Sequence, residues 1–240
     1  MGIFSLICVV IFLLVLRKAG YRTGWTTDRQ NSFFARAVII AALWMIVIST
    51  LALAGVFRNF SKLPPRPVLM IIIAVVLLLV LSFSKSVTAI LQVMPPHWLV
   101  LAQSFRIGVE ILLYLSFTKK LIPVQMTFEG YNFDIISGLL ALPAAWIMAT
   151  NARASKVTGI AYNIIGLLLL VNVLVIAVLS MPTSLRRFTN EPSLNIVGEF
   201  PFILLPGVLV VLALALHIFS LRQLFISQGE RSRSPKGSFA

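Results

Sequence analysis

Seven apolar runs divide the chain, at Gly2–Leu16, Phe33–Phe57, Val68–Leu91, Trp98–Thr118, Phe133–Thr150, Thr158–Ser180 and Pro201–Leu221. Most reach the roughly 20 residues that an α-helix needs to cross about 30 Å of hydrocarbon. The polar stretches between them are too short to build a soluble core. In lipid every backbone N–H and C=O must be paired inside the protein, which favours helices for runs of this length. The expected fold is an all-α integral membrane protein, a bundle of seven transmembrane helices over residues 1–226, followed by a basic tail at 227–240 expected to be disordered.

Composition agrees with the pattern. The chain is 59% hydrophobic and 11% charged, against about 25% charged residues in soluble domains. Its net charge of +13 gathers mostly between the apolar runs, where it faces anionic lipid and sets orientation, so nucleic acid is excluded as a partner and the lipid bilayer is the expected one. Cys8, the one cysteine, permits neither an intrachain disulfide nor a cysteine metal cluster. The first run has no basic residue before it and no small-x-small site after it, which reads as an uncleaved helix rather than a signal peptide.

On a seven-span reading, the connections after the first, third and fifth runs and the tail hold twelve Lys and Arg, against seven on the other side. The positive-inside rule then puts the N-terminus outside and the C-terminus in the cytoplasm. Prolines mark several boundaries: "LPPRP", "MPPHW", "IP" and "MP". Pro143 and Pro206–Gly207 fall inside spans and imply kinks whose freed carbonyls neighbouring groups must cover.

Charged residues inside the fourth run carry the functional argument. Gln103, Arg106, Glu110 and Tyr114 are spaced three, four and four apart, one stripe on one helix face. A charge near the bilayer centre costs roughly 2.5–3.5 kcal/mol on insertion scales, so the stripe should face protein, with Arg106 and Glu110 paired to each other. Counting about 1.5 Å per residue along antiparallel spans places Arg106, Asn163 and His217 in one layer and Glu110 with Asn172 in another. Arg106 is then a candidate for holding an anionic group, and Glu110 with His217 are candidate proton carriers. Glu129 and Asp134 lie in the segment "VQMTFEGYNFDIISG". It reads either as an aromatic interfacial belt with a helix-terminal carboxylate, or as a lid or re-entrant loop over the polar core.

No nucleophile–base pair, phosphate loop, dinucleotide fingerprint or metal-ligand spacing is present in the sequence, so no cofactor or metal is expected and an enzyme is the less favoured reading. The stretches "MPPHWLVLAQSFRIGVEILLYL", "VQMTFEGYNFDIISGLLA" and "LLPGVLVVLALALHIFSLRQLF" resemble a widespread family of uncharacterised bacterial multi-pass inner-membrane proteins. The likeness covers spans four to seven, on Gln103 and Arg106, Asp134 and Gly138, and His217, Leu221, Arg222 and Gln223. It implies the bacterial cytoplasmic (inner) membrane and brings no activity with it. Two functional expectations stand. One is a small transporter or ligand- and proton-sensing protein with a buried polar pocket for a small polar or anionic ligand. The other is a non-catalytic accessory component, associated with another membrane protein or with copies of itself, whose buried Arg–Glu pair only holds the bundle together.

Overall fold

The structure, a computed structural model, describes residues 1–231, with side chains through residue 226. Most of the expected tail therefore lies outside the described residues. The helices are α1 (Gly2–Gly20), α2 (Thr27–Leu53), α3 (Arg66–Ser82), α4 (Lys85–Val93), α5 (Pro96–Ala102), α6 (Phe105–Thr118), α7 (Asp134–Thr150), α8 (Ala152–Ser180) and α9 (Val210–Arg231), with a π-turn at Leu205–Leu209 leading into α9. Among the described residues, five segments are long and apolar enough to cross a membrane: α1, α2, α5 with α6, α8, and the π-turn with α9. The bent pair α3–α4 makes a sixth if it counts as one span, and α7 is a shorter apolar helix. The all-helical architecture is as expected, whereas five or six such segments stand where seven spans were expected.

Each departure has a local cause. The third run is not one straight helix but bends by 75° between α3 and α4. Ser84 caps α4 by accepting from the Val87 N–H at 3.3 Å. The Arg222 guanidinium fills the break, donating to the Ser82 carbonyl and, at 2.6 Å, to the Thr88 hydroxyl. The fourth span breaks at Gln103–Ser104, where the backbone N–H groups reach back three residues, to Val100 and Leu101, a 3₁₀ tightening. Pro206 lies in the π-turn of the last span, and the Gly207 carbonyl there accepts from the Trp44 indole of α2 at 2.7 Å, the covering by a neighbour that lipid demands. Helix α7 continues through Pro143 as one helix.

Helix α7 is short because it starts deep. Gln125 bonds to Ser180 at the end of α8, the Tyr131 carbonyl accepts from Asn172 of α8, and Asp134 meets a guanidinium that also reaches Gly166. At about 1.5 Å per residue, those three α8 positions lie at 0, roughly 12 and roughly 21 Å from the helix end. The connection after α6 thus dips back along α8, and α7 begins well inside the bundle. Irregular backbone at such depth is tolerated only when protein surrounds it, and Gln125, Met126, Thr127 and Asn132 are all buried.

Helix α7 packs on α5, α6 and α8, and α9 packs on α3, α5 and α8, whereas α1 and α2 flank this group. Large apolar side chains stay exposed on the outer faces, among them Ile3, Ile39, Ile73, Val80 and Leu168. An apolar surface of that extent, on long apolar helices, indicates a membrane location.

Candidate functional site

Arg106 stands at the start of α6 with its guanidinium buried among four helices. It forms a two-pronged ion pair with Asp134 at the N-terminus of α7, Nε donating to Oδ2 at 2.7 Å and Nη2 to Oδ1. Nη1 donates to the Ser137 hydroxyl at 2.7 Å and faces His217 Nε2 at 3.1 Å. Nη2 also reaches the Gly166 carbonyl at 3.3 Å. Every guanidinium N–H therefore has a protein acceptor. Arginine only donates, so the His217 Nε2 facing it accepts, and the ring proton sits on Nδ1, 2.8 Å from Asn163 Oδ1. Asn163 Nδ2 passes the chain on to the Gly159 carbonyl at 2.7 Å and the Ser220 hydroxyl at 2.8 Å. Tyr162 closes the edge by donating to the Ser137 carbonyl at 3.2 Å.

The sequence expectation of an Arg106–Glu110 pair is corrected here: Arg106 pairs with Asp134 instead. A carboxylate on a neighbouring helix can present both oxygens to the guanidinium fork, the stronger arrangement. Glu110, buried one turn along α6, accepts from Asn132 Nδ2 at 2.8 and 2.9 Å, and that amide also reaches the Met126 carbonyl at 3.0 Å. Asn132 Oδ1 accepts from the Asp134 backbone N–H at 3.1 Å, so one asparagine ties the dipping segment to the Glu110 carboxylate and to the first turn of α7.

Of the other expected site residues, Gln103 is buried and donates to the Ala213 carbonyl at 3.1 Å. Tyr114 is outside the network, its ring stacked on Phe128 with centroids 5.0 Å apart. Asn172 does not meet Glu110 but holds the Tyr131 carbonyl at 2.8 Å. Glu129 is exposed on the α6–α7 connection. Sequence reasoning missed Asn132, Ser137, Gly166, Tyr162 and Ser220. A usable signal was Ser137 three residues after Asp134, which puts both on one face of α7. Among the described residues, no group of three or more His, Cys, Asp or Glu is arranged to hold a metal ion.

Beside this network lies a cavity of about 70 Å³. Its walls are apolar, from α3, α8, the π-turn and the start of α9, and Arg106, Glu110 and Asp134 form its charged floor. Val68 and Ile71 of α3, like Val173 and Leu174 of α8, are half-buried on its rim, so the cleft opens sideways between helices.

A family model described as "Domain of unknown function (DUF8737)" matches residues 63–225, more than half of the chain. The chain belongs to the DUF8737 family. No curated protein and no solved structure matches it. The DUF8737 region begins just before α3 and runs into α9, so it contains the whole guanidinium network and the cleft, and leaves α1 and α2 outside.

Proposed function

We propose that this DUF8737 chain is a multi-pass membrane protein that binds a small lipid-soluble ligand in the lateral cleft, as a transporter or sensor, with Glu110 as the polar contact. One observation carries the reading: Glu110 lines an apolar cleft and holds one amide partner, whereas all the donors of Arg106 are occupied by protein. A carboxylate with unused lone pairs suits a cation or a hydrogen-bond donor. An anionic ligand would have to displace Asp134, Ser137 or His217 from Arg106. A helix that starts inside the membrane beside a binding site is also a recurrent transporter arrangement. His217, which Arg106 and Asn163 fix, is then an anchor rather than a carrier.

A second reading rests on the completeness of the same network: a fully paired polar core is what an accessory protein needs to hold its bundle together. The two separate by what copurifies. Native mass spectrometry of full-length protein taken from membranes in mild detergent is expected to show a small-molecule adduct that Ala177→Phe, which fills the cleft, lacks. Glu110→Gln should weaken its retention about tenfold, the worth of a hydrogen bond to a charged group. Identical spectra for wild type and Ala177→Phe would leave the accessory role standing.

For topology we propose seven crossings in the bacterial inner membrane, the fifth made of the dipping segment followed by α7. The N-terminus then lies outside and the C-terminus in the cytoplasm, as the excess of basic residues on that side favours. Reporter fusions at the two termini should report opposite sides. Termini on the same side would mean that the segment from α6 to α8 does not cross.

A further inference from the structure

At the end of the bundle where α1 finishes, cations rest on aromatic rings. Lys18 Nζ lies 5.2 Å and the Arg22 guanidinium 4.9 Å from the centre of the same Trp98 indole, which stands at the start of α5. Arg17 lies 5.1 Å from the Phe34 ring and Arg29 4.6 Å from the Trp25 ring. Asp28 is the one acidic side chain described at this end, and it forms no ion pair among the described residues. The opposite end differs. There Arg58 faces Glu199 at 3.6 Å, Arg186 pairs with Glu191 at 2.8 Å, and Arg66 donates to the Val56 carbonyl at 2.6 Å.

A ring face attracts a cation but uses none of its hydrogen-bond donors. Lys18 and Arg22 are exposed and approach the same half-buried ring, so their N–H groups remain available to an anion. Below Lys18, on the same face of α1, Leu14, Ile11 and Ile7 are exposed apolar side chains, a track for a hydrocarbon chain. Tryptophan and basic residues at this level are where a bilayer places its headgroups.

We propose that Lys18, Arg22 and Trp98 form a binding site for the phosphate headgroup of an anionic phospholipid, whose acyl chain lies along the Ile7–Ile11–Leu14 face of α1. The two cations supply the charge, and the indole holds both at the end of α1. The site is distinct from the cleft at Glu110 and does not depend on it.

The test is a titration of the full-length protein in detergent with phosphatidylglycerol and with phosphatidylcholine, followed by native mass spectrometry. Wild type should prefer phosphatidylglycerol by about tenfold or more, given what each basic residue near an anionic surface contributes. The double variant Lys18→Gln with Arg22→Gln should lose the preference, while Lys119→Gln with Lys120→Gln at the other end keeps it. Thermal midpoints of both variants equal to wild type confirm that folding is intact; if the first pair unfolds, Trp98→Leu serves in its place. Equal binding of the two lipids by wild type, or a preference that survives in the variant, overturns the proposal. So does displacement of the lipid by free glycerol phosphate at matching concentration, which would mark a soluble-phosphate site.

Discussion

Arg106→Met lowers the thermal midpoint of the detergent-solubilised protein by roughly 10 °C, the counterpart of about 3–5 kcal/mol for a buried ion pair stripped of one partner. The loss is large because methionine leaves Asp134 buried without its cation and deprives Ser137, His217 and the Gly166 carbonyl of their shared donor. Adding Asp134→Leu recovers much of it, since the orphaned charge then disappears as well. Adding Glu110→Leu does not, because Glu110 answers to Asn132 and forms no ion pair with Arg106. The measurement is a thermal-shift series on the single and the two double variants. Equal rescue by both second substitutions would return the pair to Arg106 and Glu110.

Gly166→Ala is the second large effect, on the order of 1–3 kcal/mol, the usual cost of an overpacked site. A Cβ at Gly166 would stand 2.5 Å from His217 Cε1, 2.9 Å from its Nε2 and 3.1 Å from the Ser137 hydroxyl. The ring cannot step aside freely, since Arg106 and Asn163 hold its two nitrogens. Gly159→Ala, two turns earlier on α8, supplies the comparison. Its Cβ meets the methyl ends of Leu224 and Met148 at 2.8 and 3.1 Å, flexible tips that can rotate, and alanine favours a helix over glycine by about 0.5–1 kcal/mol. Gly159→Ala should therefore be close to neutral in the same thermal assay. A Gly166→Ala protein as stable as wild type would mean that the His217 ring is not held where the network requires.

The apolar runs were legible in the sequence because lipid leaves a chain few options, and so was the isolation of Gln103, Arg106, Glu110, Asn163 and His217 within them. Which acceptor Arg106 takes was not. Spacing along one helix favours Glu110, yet the fork of a guanidinium is met better by a carboxylate on a facing element, and that element begins at Asp134 only because the preceding segment folds inward. Nothing in "IPVQMTFEGYNFD" announces the descent by periodicity. Its aromatic and polar letters fit an interfacial belt equally well, and only the bonds from Gln125, Tyr131 and Asn132 to α8 and α6 show its depth. The bend after α3 was hidden for a similar reason: "SFSKS" is polar enough to cap a new helix, but the Arg222 that fills the break is 140 residues from Ser82.

The partners of Arg106 lie 28, 31, 60 and 111 residues further along the chain. A ribosome therefore delivers the arginine to the bilayer well before the last of them, His217 on α9, has been made. Alone, such a residue weighs roughly 2.5–3.5 kcal/mol against insertion, so α6 enters the membrane as a debt that only later synthesis cancels. Helix α9, the last to emerge, carries His217 and Ser220, and with them the network is complete. A nascent chain that stops short of it still has Asp134, Ser137 and the Gly166 carbonyl around the guanidinium but lacks the His217 ring that closes its last side.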